Sequence, residues 1–263
     1  MGIHVLGVFD ALENLLSPER MARVGLKQLI PDLSSIKSLK DLQGLTGLFD
    51  LDNLENQPAI VAMKSMLSET DRKKLFPLKE KLVQAFEETG ILHLMATKPD
   101  TIASVLIDSP VGMAAHILEK FSTFVDTENR NAEDGRLTAK FTLDEMLTNV
   151  MIYWTSGNVA ATCRIYKSLI QENSGVTNEI IKVPAGVTDT PHEVIQSPRP
   201  LVEPNYAQLL QYTDLPRGGH FQVFEEPKLV ADDLRQLVDK IRAQKPNGPI
   251  GKLIDGAKDR LGL

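Results

Sequence analysis

Residues 215–229 read Leu-Pro-Arg-Gly-Gly-His-Phe-Gln-Val-Phe-Glu-Glu-Pro-Lys-Leu. The apolar, β-prone run Ala207 to Thr213 (AQLLQYT) stands before this segment and reads as a strand. After it, Glu226-Pro227 opens an amphipathic helix with Leu229, Val230, Leu234, Leu237, Val238 and Ile241 on one face. His220 therefore sits on a strand-to-helix loop, where two glycines let the backbone turn tightly. Open α/β folds keep their sites on such loops, at the carboxyl edge of the sheet.

Working outward, Ile180 to Val187 (IIKVPAGV) is predicted as a second strand, with a polar, proline-bearing loop between the two. The first residues, Gly2 to Val8 (GIHVLGV), predict a third, buried strand. From Ala11 to Gly175 the pattern is mostly helical. Asp71 to Thr89 has apolar residues at helical spacing, and Gly90 follows as a C-cap. Thr101 to Phe124 is a second helical stretch, interrupted at Ser109-Pro110. Leu143 to Leu169 is a third, entered through a Thr142/Glu145 capping box. Residues 122–140 are charged and rich in Asn and Asp, and read as an exposed loop. The fold class is thus α/β, the C-terminal part of a sheet-based core with about three strands and a large helical insertion. The divisions are 1–10 for the strand before the insertion, 11–175 for a helical lid, and 176–263 for the rest of the core.

The chain has 263 residues, 42% hydrophobic and 24% charged, as in ordinary globular proteins. A formal charge of −6 argues against a nucleic-acid partner, which needs a concentrated basic face. No run of about 18 apolar residues spans a bilayer, so the chain alone is expected to be soluble and to carry no membrane anchor. The start lacks the features of a signal peptide, and Leu6 departs from the myristoylation pattern. The one cysteine, Cys163, forms no internal disulfide and reads as a small buried filler in a reduced, cytosol-facing compartment. No cofactor or metal site is expected.

Beside His220, the chemistry-bearing candidates are carboxylates and a tyrosine. Thr190-Pro-His-Glu193 lies in the loop after the preceding strand. An acid there can fix the tautomer of an imidazole on the next loop and stabilise its protonated form. Asp189 and Asp214 compete with Glu193 for that role. Tyr166, in Arg164-Ile-Tyr-Lys167, is placed to face a cleft and donate a hydrogen bond to a developing oxyanion. The plainer alternative is a packing tyrosine. Tyr153 and Trp154 read as core fillers.

At these residues the chain resembles a family. LTNVMIYWTSG (147–157), RIYKS (164–168), TPHE (190–193) and LPRGGHFQVFEEPKL (215–229) are similar to the microsomal and juvenile-hormone epoxide hydrolases. ATKPDTIASVLIDSPVGMAAHILEKFSTF at 96–124 resembles their lid and is the longest matching block. The resemblance runs from about Phe76 to Ile241. It implies an α/β-hydrolase that opens epoxides to diols in two steps. An aspartate on a nucleophile elbow attacks a ring carbon while two lid tyrosines hydrogen-bond the oxygen. A histidine oriented by an acid then activates water to cleave the ester. On this implication His220 is the base, Glu193 its acid and Tyr166 one of the tyrosines. The substrate would be a small apolar epoxide, such as a juvenile hormone, lipid or xenobiotic epoxide. The location would be the endoplasmic reticulum membrane, reached through an N-terminal anchor that is absent here.

Two departures accompany the resemblance. The aspartate elbow should precede the strand at Gly2, so this chain reads as an N-terminally truncated member without its nucleophile. The other lid tyrosine belongs just after Gly90, where Ile91 stands. An alternative is therefore a catalytically inactive protein that binds an apolar, epoxide-like ligand in the retained lid.

Overall fold

The computed structural model describes residues 53–171 and 180–244, so the predicted strand at 2–8 and the tail after Lys245 lie outside the described residues. Among the described residues eight α-helices precede the sheet: α1 Pro58–Met66, α2 Glu69–Leu75, α3 Leu78–Glu88, α4 Gly90–Thr97, α5 Pro99–Asp108, α6 Pro110–Thr123, α7 Leu143–Ser156 and α8 Val159–Gln171. Then come β1 Ala185–Asp189, the short α9 Arg199–Val202, β2 Leu209–Asp214, the short α10 Gln222–Glu225 and α11 Pro227–Gln244.

Prolines and a glycine set the breaks in the helical part. The single helix expected over 71–89 is two, because Pro77 has no N–H to continue the ladder and starts a new helix as its N-cap. Gly90 does not cap the preceding helix. Thr89 does, and Gly90 is the first residue of α4. The stretch 143–169 is likewise divided, at Gly157, whose φ of 65° ends α7 in the left-handed region. The capping box at its start is formed: the Thr142 hydroxyl accepts from the Glu145 amide, and the Glu145 carboxylate accepts from the Thr142 amide. Residues 122–140 are more ordered than their composition predicts. They hold two 3-10 turns, and buried Asn129 donates from its side-chain amide to the Ser122 carbonyl at 3.0 Å.

α4 to α8 close on one core of Met95, Leu106, Met113, Ile117, Phe121, Met146, Val150 and Cys163, which also takes in Phe221 from beyond the sheet. Cys163 is fully buried, as expected of a filler, and burial pushes its thiol pKa up.

β1 and β2 pair in parallel, Val187 opposite Tyr212 and Asp189 opposite Asp214. Isolated bridges extend the ladder at Ile181–Tyr206 and His192–Gly219. β1 thus starts later than the predicted 180–187, because Pro184 interrupts the apolar run and has no N–H for a ladder. α11 covers this pair through buried Asp233. Its carboxylate accepts from the Thr188 hydroxyl at 2.6 Å and the Gln211 side-chain amide at 2.7 Å. A Cβ on Gly186 would come 2.8 Å from Leu237, so the absence of a side chain lets the helix sit close. Leu234, expected on the apolar face, is 58% exposed, one turn short of the packed Leu237.

Candidate active site

The loop from β2 to α10 carries His220, and the two glycines before it meet different demands. Gly218 has φ of 107°, a conformation that side chains resist. Gly219 has no room: a Cβ there would lie 2.6 Å from the Phe124 carbonyl oxygen and 2.5 Å from that of Val125. The loop is therefore pressed against the end of α6, and the His220 amide donates to the Phe124 carbonyl at 2.8 Å.

Glu225 fixes the same loop from the other side. Its carboxylate accepts from the Gly219 amide at 2.8 Å and the Phe221 amide at 3.0 Å, bracketing the histidine. Burial raises its pKa, and the two backbone donors partly offset this. Beside it, Glu226 accepts from Lys140 at 2.6 Å and from Arg217 at 2.8 Å, and the Lys140 bond leads the causes that hold its carboxyl below the usual range.

On the neighbouring loop after β1, Glu193 meets the imidazole. His220 Nδ1 lies 3.0 Å from Glu193 Oε1 and 3.3 Å from Oε2, with both side chains nearly buried. The Glu193 carboxylate also accepts from the Val194 amide at 3.0 Å. The two loops are joined beneath the pair. Buried Thr190 donates its hydroxyl to the Gly219 carbonyl at 3.1 Å, and the His192 amide donates to the Gly218 carbonyl at 3.1 Å.

The competing carboxylates are committed elsewhere. Asp189 forms an ion pair with buried Lys74 at 2.9 Å, and Asp214 pairs with the same ammonium. Lys74 also donates to the Tyr212 hydroxyl at 2.8 Å, and that hydroxyl donates to the Ser197 carbonyl at 2.7 Å. Burial raises the Asp189 pKa against the lowering effect of Lys74. Of the three acids weighed for the histidine, Glu193 is the one bonded to it.

In front of His220 lies a cavity of about 120 Å³ between the sheet edge and the helices. Tyr153 and Tyr166 line it together with His220, and burial raises the pKa of both phenols, so they stay protonated donors. Tyr153, expected as a filler, does both jobs: it packs on the helical core and faces the cavity. Ile91 packs against the core and is not among the lining residues. Its hydroxyl-free side chain adds no donor. The structure thus brings His220, Glu193 and Tyr166 to one place. Sequence reasoning missed Glu225 and Lys74. For Glu225 the signal was present, an acid at fixed distance inside the motif, whereas Lys74 has no local signal at all.

No family model matches the chain. It is 45% identical to Epoxide hydrolase 1 of Oryctolagus cuniculus over 181 residues, 67% of this chain and 40% of that protein. It is 42% identical to Juvenile hormone epoxide hydrolase 2 of Ctenocephalides felis over 170 residues, 64% of this chain and 37% of that one. The chain therefore spans about two fifths of the length of these relatives. The crystal structure of juvenile hormone epoxide hydrolase from the silkworm Bombyx mori superposes with a TM-score of 0.57 at 34% identity, covering 61% of this chain and 41% of that one. The Aspergillus niger epoxide hydrolase variant, at 22% identity and TM-score 0.54, shows the shared fold alone.

Proposed function

Because the chain belongs with the epoxide hydrolases over the stretch it shares with them, we propose that it carries the water-activating half of an epoxide-hydrolysing site. The 3.0 Å contact between His220 Nδ1 and Glu193 carries this reading. With Nδ1 donating to the carboxylate, Nε2 is left as the acceptor, the tautomer that a general base needs. Water losing a proton to Nε2 attacks the ester that epoxide opening leaves, and Glu193 stabilises the imidazolium so formed. Tyr166 donates its hydroxyl to the oxirane oxygen as the C–O bond breaks. Glu225 keeps the histidine loop in place. The division into a lid over 11–175 and a core over 1–10 and 176–263 belongs to the same proposal. Among the described residues no single helix is long and apolar enough to cross a membrane. A microsomal location is proposed from the kind of relative alone.

The test is diol formation from an apolar epoxide by the native gene product that carries this chain, compared with its His220→Ala variant. Loss of the reaction to background is expected, and equal rates would overturn the reading. The second reading, an apolar-ligand binder, draws on Ile91 and the retained cavity. Absence of heat on titrating lipid or hormone-like epoxides into the folded chain would dispose of it.

A further inference from the structure

His116 and Lys120 stand one turn apart on α6, and both line the cavity that holds His220 and Tyr166. Among the described residues the rest of that lining is apolar or neutral, with Met95, Leu106, Met113 and Val159 among it, and includes no carboxylate. Lys120 is 18% exposed, and its ammonium lies over the Phe124 ring at 4.8 Å. Its partner Glu119, at 2.5 Å, is half exposed, so that carboxylate can return to water when another anion takes its place. Burial first, and the charge of Lys120 second, hold the His116 pKa below its usual value. At neutral pH it is a neutral imidazole with one N–H to give. The Phe124 ring is also edge-on to His220, 5.2 Å between centroids. The cation and the imidazole thus both lie against one phenyl ring and are no further apart than those two distances together, a gap that a few methylenes cross.

Resting on the epoxide reading above, we propose that this cavity takes apolar epoxides bearing a carboxylate a few methylenes from the oxirane. The carboxylate meets Lys120 and the His116 N–H, and the oxirane lies toward Tyr166 and His220. A monoanion fits better than a phosphate dianion, because Lys120 is the one lysine or arginine among the described residues of the lining.

The test is calorimetry on the full 263-residue chain with 6,7-epoxyheptanoate and with its methyl ester. The acid is expected to bind about tenfold tighter, the factor that one hydrogen bond to a charged group supplies. Lys120→Met removes that preference and Lys120→Arg keeps it. Glu119→Gln, which deletes the competing anion at a half-exposed position, widens it. Equal affinity for acid and ester in the parent, a preference surviving in Lys120→Met, or one that narrows in Glu119→Gln overturns the proposal. An ester that binds in those cases leaves the epoxide reading standing. A folded chain that binds neither compound overturns both.

Discussion

Two acid–base clusters stand a few residues apart at the ends of β1 and β2, and they are built for opposite ends. Glu193 and His220 meet at a cavity, each nearly buried, with the imidazole among the cavity-lining groups. Asp189, Asp214, Tyr212 and Lys74 meet behind them. Asp189 and Lys74 are each only 6% exposed, and their charges are spent on each other. In the first cluster the imidazole is one of the groups that line the cavity, open to a proton donor there. In the second a permanent cation locks the carboxylates, which ties α2 to the sheet. Four residues along the chain separate Asp189 from Glu193. The turn at Thr190, bonded to the opposite glycine loop, is what sends one acid back and the other forward.

The comparison breaks most sharply at the His220–Glu193 pair. Glu193→Gln should lower diol formation by the native gene product by about 10²–10⁴-fold, while Asp189→Asn should act mainly on stability. Steady-state rates beside melting curves distinguish the two. Next, Lys74→Met leaves Asp189 buried without its cation and should cost about 3–5 kcal/mol in urea unfolding. Adding Asp189→Asn should recover part of that loss, and a neutral single variant would mean that the cluster ties nothing.

Gly219→Ala drives a methyl into the Phe124 and Val125 carbonyls and should cost about 1–3 kcal/mol. It should also weaken the His220–Glu193 contact, read as a moved chemical shift of the His220 Nδ1 proton by NMR. Glu225→Gln replaces an acceptor by a group that turns a donor toward one of two amides, and should cost about 1–3 kcal/mol. A wild-type melting temperature there would remove Glu225 from its clamping role.

The smallest effect is one of pH. The folded His116 pKa lies below 6.5, so the unfolded chain takes up its proton first. The stability it contributes is fully present above pH 6.5 and is lost as pH falls through the lower, folded value. His116→Gln should flatten that part of the stability profile and leave its high-pH side unchanged.

Much of this was legible in the residues. Gly-Gly-His before an amphipathic helix located His220, the Thr142/Glu145 box located the start of α7, and buried Cys163 followed from its apolar surroundings. The helical breaks at Pro77 and Gly157 were visible as residues but not as consequences, since a local apolar period continues across them. For the acid, three carboxylates qualified by position, and spacing alone could not rank them.

The sequence by itself determined the loop that presents the histidine and the alternation of helices and strands, because these depend on periodicity, capping and glycine freedom within a few residues. The tertiary structure alone decided what Glu225 holds and that Lys74 closes the second cluster, and it set Glu193, the acid that the resemblance implies, against the imidazole. Those contacts join residues as far apart as Lys74 and Asp214, and hydrogen bonds over such separations exist only once packing has brought both partners out of water.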